Sequence, residues 1–122
     1  MKILATDMDR TLLPNGHWAA DPQAIGLFNE MTREHGVLVV YVTGRNLALT
    51  EAAVREFGVR HPDILIGDVG TSIRKRVGGE WQFDDGWTRH VQRVSPRWDA
   101  DRIMADLGGI DGLVEQAAEH QN

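Results

Sequence analysis

The sequence predicts an α/β fold: a partial, Rossmann-like parallel sheet followed by the start of a smaller α+β unit. Three observations predict it. Short Val- and Ile-rich runs alternate with helical periodicity over residues 2 to 67. Each helical stretch opens on a capping residue and closes on a glycine. Near residue 72 the alternation stops and a pattern with a glycine turn replaces it.

Residues 2 to 6 read as a short buried strand, and residues 7 to 20, with Pro14, Asn15 and Gly16, as a loop. The first helix follows, with Asp21 as N-cap and Pro22 at its first position. Ala24, Ile25, Phe28 and Met31 recur on one face, and Gly36 stops it. Residues 37 to 42 are the second strand. Asn46 caps a second helix that runs to Phe57 and ends at Gly58, and Pro62 opens a third strand, Asp63 to Gly67. Strand, helix, strand, helix, strand is the order of a parallel sheet.

Ser72 to Val77 and Glu80 to Phe83, joined by Gly78-Gly79, read as a hairpin. Asp84-Asp85-Gly86 reads as a turn. Helices are expected from Trp87 to Val94 and from Asp99 to Leu107, separated by Ser95-Pro96 and closed by Gly108-Gly109. Residues 110 to 122 fit strand and helix equally. The expected division is therefore residues 1–72 and residues 73–122.

The 122 residues amount to about one small domain, 42% hydrophobic and 25% charged, which fits a folded globular chain. The formal charge of −5 gives no basic footprint for nucleic acid. The short run Arg74-Lys75-Arg76 reads as a solvated strand face. No apolar run approaches the roughly 20 residues of a membrane span. Without cysteine there are no disulfides, thiolate nucleophiles or Cys-based zinc sites, which fits a cytoplasmic protein. Met1-Lys2-Ile3-Leu4-Ala5 enters a strand directly, with no leader-like segment expected. The five histidines lack metal-ligand spacing and read as solvated surface. Trp81, Trp87 and Trp98 read as packing residues.

In parallel α/β sheets ligands sit beyond the carboxyl ends of the strands. The residues there are Asp7-Met8-Asp9, Thr43-Gly44-Arg45 and Asp68-Val69-Gly70-Thr71. Alternation puts Asp7 and Asp9 on one side. Paired carboxylates repel and call for a cation or shared protons, and magnesium suits oxygen ligands and phosphate. A carboxylate can also attack phosphorus. The competing reading is a solvated Asp-x-Asp turn. Thr43 can donate to a phosphoryl oxygen or turn the chain locally. Arg45 can contact phosphate or pair with an acid.

Asp7-Met8-Asp9-Arg10-Thr11-Leu12 resembles the first motif of the haloacid-dehalogenase-like phosphatases, a strand ending in Asp-x-Asp-x-Thr-Leu/Val, and Thr43 matches the second. Most members carry glycine where this chain has Arg10. The resemblance implies that Asp7 is the nucleophile, that Asp9 is the acid and base, and that Thr43, Gly44 and Arg45 hold the phosphoryl group. It also implies magnesium bound by Asp7 and by the main-chain carbonyl of Asp9, with a phosphate ester as substrate. Gly70-Thr71, followed by Asp84-Asp85-Gly86-Trp87, resembles the branch with a cap inserted after the third strand, and within it the sucrose-phosphate phosphatases. Leu113-Val114-Glu115-Gln116 and Gln121 echo a later cap segment.

That family also uses a lysine and a later acidic Gly-Asp-x-x-x-Asp-type motif. The lysines here, Lys2 and Lys75, stand in neither place, and no such motif follows residue 84. The expectation is a chain that ends inside the cap, turns over slowly or not at all alone, and exposes a sheet edge that invites self-association. Two other readings compete: a receiver domain of bacterial signalling with Asp68 as phosphoacceptor, and a non-catalytic fragment or interaction module.

Overall fold

A computed structural model describes residues 1–17, 19 and 21–114. Its elements follow the chain in the expected order. They are β1 (Lys2–Thr6), α1 (Ala24–Glu34), β2 (Val37–Val42), α2 (Leu47–Phe57), β3 (Ile64–Gly67), β4 (Ser72–Val77), β5 (Glu80–Phe83), α3 (Asp85–Val94) and α4 (Ala100–Leu107). Glu115, Gln116, His120 and Gln121 lie outside the described residues, and residues 110–114 are in neither helix nor strand.

One five-stranded sheet runs β1-β2-β3-β4-β5. The first three strands are parallel, with Leu4 beside Val39 and Tyr41 beside Leu65. From Ser72 the pairing turns antiparallel, with Ile66 beside Ile73 and Arg76 beside Trp81. The change of direction falls at residue 72, but the sheet continues through it. This order also disposes of the receiver reading, because a receiver sheet holds its first strand between the second and third.

The core lies between β2, β3 and α2; β1, expected as a buried strand, is instead exposed along Lys2–Ala5, because it contributes no residue to the buried cluster. Met8, Leu13, Val39, Tyr41, Ala53, Val54, Val59 and Leu65 form one buried cluster, with Ile25 and Phe28 of α1 against it. Tyr41 is fully buried, and its hydroxyl donates to the Arg60 carbonyl at 2.7 Å. Burial pushes that hydroxyl's pKa up. Asn29 of α1 donates to Gly58 O at 2.9 Å and accepts from Arg60 N at 2.8 Å, which clamps α1 to the turn before β3.

The cap of α2 is as expected. Asn46 accepts from Leu49 N at 2.8 Å, and Gly58 is left-handed at φ 67°. Two helix starts differ from expectation. Asp21 accepts from Gln23 N at 2.8 Å and so stabilises a turn before α1, which begins only at Ala24. Asp84 is no mere turn residue. It accepts from Trp87 N at 2.9 Å and starts α3 two residues earlier than the pattern suggests.

Several side chains taken as surface or packing are tied down instead. Arg74 lies 4.3 Å over the Phe83 ring and pairs with Asp68 at 3.5 Å, and Lys75 pairs with Asp84 at 2.7 Å. Lys75 and Arg76 stay exposed, as a solvated face would, and only Arg74 is partly buried. His61 meets Glu51 at 3.0 Å, and His90 stacks on Trp87 with centroids 5.2 Å apart. Trp98 is 74% exposed and packs no core. Among the described residues no helix is long and apolar enough to cross a membrane.

Trp81 of β5 donates to Glu51 Oε1 at 2.7 Å, and this joins the hairpin to α2. Burial pushes Glu51 up, but hydrogen bonds from Trp81 and His61 outweigh it and leave its pKa lowered. A lowered carboxylate contributes stability above its unfolded pKa, and that contribution is lost as pH falls through the folded value. At pH 7, Glu51→Gln should therefore cost about 1 kcal/mol. The gap between variant and wild type should close in thermal melts run toward pH 3, about a unit below the ordinary glutamate value. A gap that stays constant with pH would rule out this ionic contribution.

Candidate active site

The site is built where β1, β2 and β3 end. Met8, with no exposed surface, turns inward, so its neighbours Asp7 and Asp9 turn outward together. The Met8 carbonyl accepts from Thr11, Leu12 and Leu13 N–H at 3.4, 3.0 and 2.8 Å, and this curls the chain into a tight loop. Register sets Thr6 beside Tyr41, so Asp7 and Thr43 leave neighbouring strands one and two residues further on.

Asp7 is exposed, and its Oδ2 accepts from the Thr11 hydroxyl at 3.2 Å. Its Oδ1 has no partner among the described residues. Thr43 is 5% exposed, and its hydroxyl oxygen accepts from Arg45 N at 3.2 Å. That is the local turn anticipated as the plain alternative, yet it leaves the hydroxyl hydrogen available to donate. The Gly44 backbone lies exposed beside Thr43, and a Cβ added there would meet Val69 at 3.9 Å.

Arg45 ties the three loops together. Its Nε donates to Asp9 Oδ2 at 2.9 Å, its Nη2 to Asp9 Oδ1 at 2.7 Å, and its Nη1 to Leu49 O at 3.1 Å. Its carbonyl accepts from Asp68 N at 3.0 Å. A Cβ at Gly67 would stand 2.9 Å from that carbonyl, so the close crossing of loops two and three requires glycine there. Of the two roles open to Arg45, its side chain takes the acid pairing in this state.

The hydrogen bond from Arg45 holds the Asp9 carboxyl below the usual carboxylate range. Burial opposes this, and a bond from Asn15 adds to it. Asp9 is thus held as the carboxylate, and taking up or giving back a proton requires it to loosen from Arg45. Asn15 reaches Asp9 Oδ1 at 2.6 Å. It reads in the sequence only as a loop residue, and no local signal marks its partner six residues back.

Asp68 is not an open phosphoacceptor. Its carboxylate takes a very short hydrogen bond from the Ser72 hydroxyl and the ion pair from Arg74, and its side chain is 11% exposed. Asp68 and Val69 both adopt positive φ, at 53° and 55°, in the tight connection into β4. Trp87 Nε1 donates to Gly70 O at 3.1 Å, and this docks α3 on the same loop.

Two cavities of about 480 Å³ lie at the opposite end of the sheet, lined in common by Arg33 and Arg60. Neither includes Asp7, Asp9 or Thr43. The candidate site is solvent-facing, with Asp7 and Gly44 exposed. Among the described residues no group of three or more His, Cys, Asp or Glu is placed to hold a metal. The oxygen-only donors fit a hard cation that takes one or two carboxylates and fills its shell with water and phosphate.

The family described as sucrose-6F-phosphate phosphohydrolase matches residues 1–122. A Nitrosococcus oceani protein described as a HAD-like hydrolase is 40% identical over 91 residues, covering 75% of this chain and 24% of that protein. Sucrose-phosphatase 1 of Nicotiana tabacum is 27% identical over 124 residues, covering 98% of this chain and 27% of its own length. The structure of the sucrose-phosphatase from Synechocystis sp., in complex with sucrose and phosphate, superposes with a TM-score of 0.72 at 25% identity. That match covers 99% of this chain and 45% of the other. The chain spans about a quarter of the length of the curated relatives and less than half of the solved one.

Proposed function

The chain belongs to the sucrose-6F-phosphate phosphohydrolase family of HAD-like hydrolases, and from that premise we propose that it carries the nucleophile half of a magnesium-dependent phosphatase acting on a sugar phosphate. The observation that carries this reading is the convergence of Asp7, Asp9, Thr43 and Arg45 at the carboxyl ends of adjacent parallel strands.

In this reading Asp7 attacks phosphorus and forms an aspartyl-phosphate. Asp9 exchanges the proton with the leaving oxygen and later with water. The Thr43 hydroxyl, the Gly44 backbone and Arg45 hold phosphoryl oxygens as charge builds. Asp7 and the Asp9 carbonyl would hold Mg²⁺, which when bound offsets the charge between carboxylate and phosphate. A substrate of the sucrose-phosphate kind is supported by the Synechocystis relative, whose structure holds sucrose and phosphate. Residues 1–72 are assigned to the core and residues 73–122 to the start of a cap, with a cytoplasmic location.

The test is hydrolysis of a panel of sugar phosphates and a chromogenic phosphate ester, with and without magnesium. Turnover by this chain alone is expected to be slow, because two carboxylates and a phosphate gather with Arg45 already engaged by Asp9. Rates equal with and without magnesium would sink the metal assignment. No hydrolysis and no binding of inorganic phosphate by the folded chain would favour a non-catalytic interaction module.

The outer edge of β1 has no strand partner among the described residues, and Ile3 and Leu4 are 59% and 39% exposed. Such an edge pairs readily with another chain. Concentration-dependent self-association is therefore expected in light scattering, and Ile3→Lys should shift it toward monomer. A wild-type chain that stays monomeric at high concentration would remove this partner.

A further inference from the structure

Asn15 stands outside every motif with an assigned role, yet it makes the shortest side-chain contact to Asp9: Nδ2 donates to Asp9 Oδ1 at 2.6 Å. Its own Oδ1 accepts from Arg10 N at 2.7 Å. The second bond fixes the sense of the amide. The carbonyl oxygen must face the N–H, so the NH₂ must face the carboxylate. Arg45 holds the same carboxylate, with Nη2 on Oδ1 at 2.7 Å and Nε on Oδ2 at 2.9 Å.

Each carboxylate oxygen offers about two lone-pair directions. Oδ1 of Asp9 uses both, on Asn15 and Arg45, while Oδ2 uses one, on Arg45. We infer that Asn15 is a positioning residue for Asp9: together with Arg45 it sets the rotation of the carboxylate and leaves Oδ2 as the oxygen that meets a substrate. This deepens the phosphatase reading and rests on it for the substrate, but the holding of Asp9 stands on geometry alone.

A loop tether would need only the bond from Arg10 N. Aspartate at position 15 could accept that bond equally well, but it could not donate to Asp9. The isosteric Asn15→Asp substitution therefore separates the two roles. The loop link survives, while the hold on Asp9 is lost and replaced by repulsion.

The experiment uses the whole chain with magnesium and a chromogenic phosphate ester. For Asn15→Asp the expected result is a kcat lowered about tenfold or more, with KM and the thermal midpoint little changed. Asn15→Ala, which loses both bonds, should lower both kcat and midpoint. A second reading needs no turnover. The Asn15 side-chain NH₂ protons should exchange slowly in the wild type and lose that protection in Asp9→Ala. An unchanged kcat in Asn15→Asp, or protection insensitive to Asp9→Ala, would overturn the proposal. If the wild type hydrolyses nothing, the phosphatase reading fails for this chain, and the exchange measurement alone decides whether Asn15 holds Asp9.

Discussion

Asp7→Asn should abolish magnesium-dependent hydrolysis, by at least about a thousandfold where turnover is measurable, because it removes the attacking group itself. An amide cannot form the aspartyl-phosphate and binds a hard cation less well than a carboxylate. The fold should survive, since Asp7 is exposed and among the described residues its side chain has one hydrogen bond, from the Thr11 hydroxyl at 3.2 Å. A matching far-UV spectrum and thermal midpoint would confirm that the loss is chemical. Trapping is the companion measurement. After incubation with a phosphoryl donor and acid quench, the phosphoryl group should sit on the peptide holding Asp7 in the wild type and be absent in the variant. A label on the peptide holding Asp68 would restore the receiver reading. That outcome runs against the structure, in which Asp68 is closed by Ser72 and Arg74.

Leu65→Ala should produce the largest loss of stability from a single truncation, about 3 kcal/mol. Leu65 has no exposed surface and lies at the centre of β3, with Tyr41 of β2 on one side and Arg74 of β4 on the other. Leu65 sits within the buried cluster that includes Val39, Tyr41 and Val54, so a cavity term is expected to add to the lost burial. Against a total stability of about 5–15 kcal/mol this is a large fraction. The thermal midpoint should fall on the order of 10 °C. Leu65→Ile, which conserves volume, should cost less than about 1.5 kcal/mol. Ile3→Ala, at an edge position 59% exposed, should change little. A Leu65→Ala chain as stable as the Ile3→Ala one would mean that the core is not centred on β3.

Element boundaries were most legible where a side chain bonds its own near neighbours. Asn46 and Gly58 frame α2 because a cap and a left-handed stop act within a few residues. The same locality explains the two misplaced helix starts. Asp21 and Asp84 each have two nearby uses, as turn acceptor and as helix cap, and composition alone does not choose between them. The site was legible to the extent that it depends on strand ends. Asp7, Asp9 and Thr43 follow runs whose alternation sets their direction. Asn15 was not legible, because an asparagine among Pro14 and Gly16 reads as an ordinary loop residue.

The sequence by itself determined the succession of strands and helices, the placement of Asp7 and Asp9 on one side of the chain, and the carboxyl-end location of Thr43. Each of these follows from periodicity, capping or glycine placement, which act between residues close in the chain. Only the tertiary structure decided that the hairpin extends the same sheet and that Trp81 bonds Glu51. It also decided that Arg45 closes on Asp9 across 36 residues. Those pairings depend on which chain segments meet after the core has formed. A guanidinium or an unpaired strand edge will join several partners equally well, so no local pattern selects among them.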